Sequence, residues 1–142
     1  MQALKKLSLL VLLWCSGFMV KAQTANTAKP FSAYQVHNGV IYVSGQIGVS
    51  PATGKLVNTS FNAEVNQVMD NIKGILNSAG SNMASVINVT VYLKDISQYA
   101  AFNQAYSKYF SEPYPARACV AVKDLAAGAN LEIAVIAAQK NP

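Results

Sequence analysis

The chain is 142 residues long, with eleven Lys plus Arg against six Asp plus Glu, one His and two Cys, which leaves room for one ordinary domain and excludes a two-domain enzyme. Charged residues make up 12% and hydrophobic ones 52%, against roughly 25% charged in soluble chains; disorder needs the reverse balance, so the chain folds and buries much of itself. The net charge of +5 is a weak nucleic-acid signal, because Lys5, Lys6 and Lys21 fall in an N-terminal segment of another kind.

Residues 1–22 read as a signal peptide. Lys5-Lys6 form a basic start and 7–20 an apolar stretch shorter than the ~20 residues of a spanning helix. Val20-Lys21-Ala22 make a small-residue cleavage site. Removal leaves eight basic and six acidic side chains, a net +2 with no cationic run. The mature protein is then expected in the periplasm or outside the cell, free of membrane and of nucleic acid. Cys15 leaves with the segment, so Cys119 becomes the sole thiol and no intramolecular disulfide forms. The low charge content points to a surface partly covered by sister subunits.

Residues 23–29 are small and polar, a flexible tether, and 30–142 form the domain. Two β-rich runs, 34–36 and 40–43, flank His37-Asn38-Gly39, where Asn-Gly supplies the positive φ of a tight turn, so 31–49 is a hairpin. Ser50-Pro51-Ala52-Thr53-Gly54 is a loop. From Ser60 the period changes: Phe61, Val65, Val68, Ile72, Ile75 and Ala79 recur at helical steps, with Glu64 in the first turn and Gly80 just past the end. Residues 85–93 alternate as a strand, with Ile87, Val89, Val91 and Leu93 on the apolar face. A second helix spans about 96–110, its stripe formed by Tyr99, Phe102, Tyr106 and Tyr109 or Phe110, a spacing that marks core rather than ligand box. Strands near 116–122 and 131–138 close the chain. The order ββαβαββ is an α+β domain with a mixed sheet and both helices on one face.

Most recognised chemical devices are missing: no Gly-rich phosphate loop, no CxxC or HxxxH metal spacing, no GxSxG elbow. His37 beside the turn is a solvated loop residue rather than half of a thiol dyad with Cys119. Two charges are out of place. Arg117 lies inside the apolar run 115–122 and Glu132 inside 131–137, and a charge in a buried strand is costly unless paired or used for binding. If the two strands are an antiparallel pair around a turn near Asp124-Leu125, Arg117 and Glu132 face each other. They then form either an ion pair holding register or a site where the guanidinium grips a carboxylate through two parallel hydrogen bonds.

Several segments together resemble the Rid family of reactive intermediate (enamine/imine) deaminases, also called the L-PSP family. They are Val43-Ser44-Gly45-Gln46-Ile47, Asn71-Ile72-Lys73 with Ala79-Gly80, and Val91-Tyr92-Leu93-Lys94-Asp95. Phe102-Asn103-x-x-Tyr106-x-x-Tyr109-Phe110, Tyr114-Pro115-Ala116-Arg117-Ala118-Cys119-Val120 and Leu131-Glu132-Ile133 complete the set, in order, from about Pro30 to Ala138. The resemblance implies a chorismate-mutase-like fold of the bacillary type and a homotrimer around a central barrel, with ligand sites in the clefts between subunits. It also implies hydrolysis of 2-imino acids or enamines to 2-keto acids and ammonia without metal or organic cofactor. In that scheme Arg117 clamps the substrate carboxylate and Glu132 activates water. Phe31, Ser44, Gly45, Asn103 and Cys119 line the pocket, Cys119 mainly through its backbone.

The chain departs from the family pattern in three places. Lys29-Pro30-Phe31 stands where Gly-Pro-Tyr is usual, Ala33 replaces a Gln, and Ala134 replaces a frequent second glutamate. Loss of the tyrosine hydroxyl bears on the substrate side chain and favours an apolar one. It is also compatible with a non-catalytic trimer that binds or senses small carboxylates. A ribonuclease role fits poorly with export and a mature charge of +2, and the glycosylation-like triplets at Asn58 and Asn88 are common by chance.

Overall fold

The computed structural model describes residues 30–140; the signal segment and the tether expected at the N-terminus lie outside the described residues. Strand β1 (Tyr34–His37) turns into β2 (Val40–Gln46) through Asn38 and Gly39, both at positive φ (49° and 74°). This is the two-residue turn whose twist matches that of the strands it joins.

Helix α1 (Phe61–Ser78) starts where the Ser60 hydroxyl accepts from the Ala63 N–H at 3.1 Å. It ends where Gly80, at φ 74°, donates to the Asn77 carbonyl and the Ser81 N–H bonds back to Leu76 at 2.9 Å, the left-handed stop that glycine allows. The Ser81 hydroxyl then donates to the Ala138 carbonyl at 2.6 Å, docking that helix end on the last strand. Strand β3 (Val86–Leu93) leads through short 3₁₀ turns on either side of helix α2 (Tyr99–Tyr106) into β4 (Ala116–Ala121); β5 (Leu131–Ala138) closes the chain.

The sheet order is β1-β2-β5-β3-β4. β1/β2, β2/β5 and β3/β5 are antiparallel, whereas β3 and β4 run parallel, joined by the crossover through α2. The expected antiparallel pairing of β4 with β5 is therefore corrected. β5 turns back past β4 and inserts between β2 and β3, leaving β4 as an edge strand. A parallel neighbour needs a long crossover, and α2 is that crossover.

Both helices cover one face of the sheet. Val65, Val68, Met69, Ile72 and Leu76 of α1 and Phe102 of α2 are fully buried there against Val89, Val91, Leu131 and Ile133. Two expectations about faces change. An extra residue in β3 between Val86 and Asn88 turns Ile87 outward (52% exposed) and brings Val86 into the core, because a bulge shifts the two-residue period by one. Tyr99 leaves the aromatic stripe: it is 42% exposed, whereas Phe102 and Tyr106 are buried. The other sheet face carries the cross-strand rows Tyr42–Ile136–Asn88, Ala134–Thr90–Ala118 and Glu132–Tyr92–Val120. Nothing among the described residues is packed on it as the helices pack on the first, and Tyr42 and Val120 remain exposed.

Glu64 is more than a charge near a helix start. It is fully buried, and its carboxylate accepts from the Asn130 backbone N–H at 2.8 Å and the Asn130 side-chain amide at 2.6 Å. That fixes the chain entering β5, two residues before Glu132. A Cβ on Gly48 would come within 2.6 Å of Glu64 Cγ, so the glycine makes room for the clamp. Glu64→Leu strands these donors and should cost about 2 kcal/mol, a melting temperature lower by roughly 5–10 °C in a thermal unfolding scan. Glu64→Gln should lose far less, because flipping the Asn130 amide restores both bonds.

Candidate functional site

Arg117, the chain's only arginine, projects from β4 toward α2. Its register partner Val89 belongs to the helix-covered face. Asn103 and Tyr99, one turn apart on α2, both accept from Arg117 Nη2, the Asn103 side-chain oxygen at 2.8 Å and the Tyr99 hydroxyl at 3.2 Å. The guanidinium carbon lies 4.8 Å from the Tyr106 ring centre, 5.5 Å from that of Phe102 and 5.7 Å from that of Tyr99. Such contacts hold a cation without neutralising it.

Among the described residues the ion pair is Lys94–Asp124 at 3.0 Å, and Arg117 has no acidic partner. A cleft of about 340 Å³ beside it is lined by Asn103, Tyr106, Ser107, Tyr114, Pro115 and Arg117. The Tyr106 hydroxyl is buried there without a hydrogen-bond partner among the described residues, and burial raises its pKa while the Arg117 charge pulls the other way. Cys119, two residues along β4 on the same face, packs against the core; burial raises its thiol pKa, partly countered by Arg117.

Glu132 lies elsewhere. Its register partner is Tyr92, on the face the helices leave bare. Alternation thus puts Glu132 and Arg117 on opposite faces. With β3 between their strands and three residues of offset along it, their Cα atoms are about 14 Å apart. The facing pair expected from spacing does not exist within one chain.

What Glu132 does have is Gly45. The β2 strand bulges between Val43 and Gln46, and the Glu132 carboxylate occupies the space a side chain at 45 would take: a Cβ there would overlap Glu132 Oε1 and come within 2.7 Å of Cδ. A cleft of about 770 Å³ opens beside this point, lined by Phe31, Gly45, Gln67, Asn71, Gly74 and Glu132 among others. The Ser44 hydroxyl donates to the Ser32 carbonyl at 2.7 Å, tethering the segment that carries Phe31. The Asn71 amide donates to the Ile47 and Val49 carbonyls at 3.2 and 2.9 Å and accepts from Gln67 at 2.8 Å, holding the loop after β2 against α1.

The seven residues singled out from the sequence thus fall into two groups. Arg117 and Asn103 meet at one cleft with Cys119 behind them. Glu132, Gly45 and Phe31 meet at the other with Ser44 behind them. The tyrosines at 99, 106 and 114 around the guanidinium and the α1 polar face at 67 and 71 were missed. For Tyr99 and Asn103 the four-residue spacing was an available signal, but nothing in it names Arg117 as the third member. No cluster of three or more His, Cys, Asp or Glu suited to a metal occurs among the described residues.

Comparison with known proteins matches residues 21–139 to the family model described as endoribonuclease L-PSP. The chain is 40% identical over 110 residues to the goat (Capra hircus) 2-iminobutanoate/2-iminopropanoate deaminase, spanning 78% of this chain and 80% of that protein. It is 39% identical over 110 residues to a RutC family protein of Aquifex aeolicus, spanning 76% and 87%. Among solved structures, RidA from the Antarctic bacterium Psychrobacter sp. PAMC 21119 superposes with a TM-score of 0.75 at 37% identity, covering 78% of this chain and 89% of that one.

Proposed function

Because the chain belongs to the Rid (L-PSP) family, we propose that it hydrolyses reactive 2-imino acids and their enamine tautomers to 2-keto acids and ammonia, at sites shared between the subunits of a homotrimer. The observation that carries this reading is the split site: among the described residues, a guanidinium caged by neutral groups has no acid to pair with, and a carboxylate given room by a glycine has no cation beside it. Each half lacks what the other has. A head-to-tail ring, in which the Arg117 cleft of one subunit abuts the Glu132 cleft of the next, makes both whole. The bare sheet face with Tyr42, Ile136 and Val120 supports the same assembly, since an apolar face of that extent calls for a cover.

In the proposed reaction the substrate carboxylate takes hydrogen bonds from Arg117, fixing the imine carbon within reach of Glu132. Glu132 accepts a proton from water as the oxygen bonds to that carbon. With the imine protonated, this addition gives a neutral amino alcohol. Glu132 passes the proton it took from water to the nitrogen, the carbon–nitrogen bond breaks with its electron pair leaving on ammonia, and the carbinol hydroxyl gives up its proton to Glu132 as the carbonyl forms. The imine is already electrophilic, so orientation and proton transfer suffice, and the chemistry calls on no metal or organic cofactor. Phe31, 59% exposed at the mouth of the Glu132 cleft, presents a ring and no hydroxyl, which favours apolar substrate side chains. The same replacement is what favours the alternative, a trimer that binds small carboxylates without turning them over.

The signal-like segment extends the proposal to an exported protein that clears imino acids made by envelope amino-acid oxidases or dehydrogenases. Purified protein added to an amino-acid oxidase should speed ammonia release from the imino acids formed in situ. No acceleration with small, branched or aromatic side chains would reject the enzyme.

A further inference from the structure

Tyr99 does not line the cleft beside Arg117, yet its hydroxyl accepts from the same guanidinium nitrogen that Asn103 engages. Nη2 carries two hydrogens, and these two acceptors match them. One acceptor alone leaves the guanidinium plane free to pivot about a single hydrogen bond. Two acceptors on one nitrogen, with the Tyr106 and Phe102 rings on the flanks at 4.8 and 5.5 Å, fix the plane's direction.

We infer that Tyr99 is a positioning residue for the carboxylate clamp: from outside the cleft it locks Arg117 so that Nη1 and Nε are presented to the ligand. This rests on the reading of Arg117 as that clamp. An arginine side chain has many rotamers to lose on binding, and a guanidinium ordered beforehand loses fewer. The half-exposed ring of Tyr99 contributes little to the core, so its hydroxyl can be removed without disturbing the fold.

The test uses 2-oxobutanoate as the probe, titrated into wild-type protein, Tyr99→Phe, Tyr99→Leu and Arg117→Ala by calorimetry, with KM and kcat measured on imino acids. Tyr99→Phe keeps the ring and should weaken 2-oxobutanoate binding about five- to tenfold. KM should rise in step, kcat should stay within about twofold, and the melting temperature should not move. Tyr99→Leu should weaken binding at least as much. Since Arg117 is the chain's only arginine, its guanidinium nitrogens give a single assignable set of NMR signals. In wild type these should show hindered rotation, which Tyr99→Phe should relax.

Unchanged binding and signals in Tyr99→Phe, with binding lost in Arg117→Ala, overturn the positioning role and leave the clamp standing. A parallel fall of stability, kcat and affinity in Tyr99→Phe shows a merely structural residue and overturns it too. Undiminished binding by Arg117→Ala sinks the clamp itself, and with it both readings.

Discussion

Glu132→Gln should lower imino-acid turnover by about 10²–10⁴-fold while leaving 2-keto acid affinity within a few fold. The amide keeps the shape of the side chain in the space beside Gly45 but cannot take a proton from water. Steady-state ammonia release gives the first quantity and calorimetric titration the second. Arg117→Ala should lose both. If each site is made from two chains, the two defects complement. Co-expressed Arg117→Ala and Glu132→Gln subunits should form mixed rings with some intact sites and regain a measurable fraction of activity that neither homogeneous protein has. No recovery in rings shown by mass spectrometry to be mixed would place both residues in one subunit's site, against the register. Full turnover by Glu132→Gln would assign the proton transfer to another base and exclude the non-catalytic alternative, whereas that alternative predicts no turnover even in wild type.

Gly45→Ala should be nearly as damaging to activity and almost silent in stability. The added methyl would overlap Glu132 Oε1, and what gives way is the end of a half-buried, flexible side chain rather than packed backbone. A displacement of about 1 Å at a reacting group is worth on the order of 10² in rate, so kcat/KM should fall by about that factor. The position is exposed outside the core, so the melting temperature should stay within about 3 °C. A fall of more than 10 °C would mean that Gly45 serves the bulge rather than the carboxylate.

Local structure was legible where the chain signals it in consecutive residues. Asn38-Gly39 announces a turn because both positions need positive φ, and the change of period at Ser60, the three-and-four spacing through Ile72 and the Gly80 stop bound α1 almost to the residue. Arg117 and Glu132 were conspicuous as charges in apolar runs. Their relationship was not. A nine-residue link between β4 and β5 looks like a hairpin, and nothing in an apolar strand declares whether its neighbour runs parallel or which strand will come between them. The insertion of β5 beside β3 is decided by the whole sheet, and it sends the two charges of an apparent pair to separate clefts. Ile87 and Glu64 escaped for related reasons. A bulge leaves no compositional trace, and a first-turn glutamate reads as a surface charge until Asn130 is folded over it.

The strand that carries Arg117 is also an outer rail of the sheet, with β3 on one side and, among the described residues, no strand on the other. Its far-side peptide groups are open to any extended segment that drifts by. A lone subunit therefore exposes a sticky backbone margin as well as an oily face. In the proposed ring, weakening the contacts between subunits should drive the protein toward precipitates before it yields orderly single chains, so assembly would guard solubility as much as chemistry.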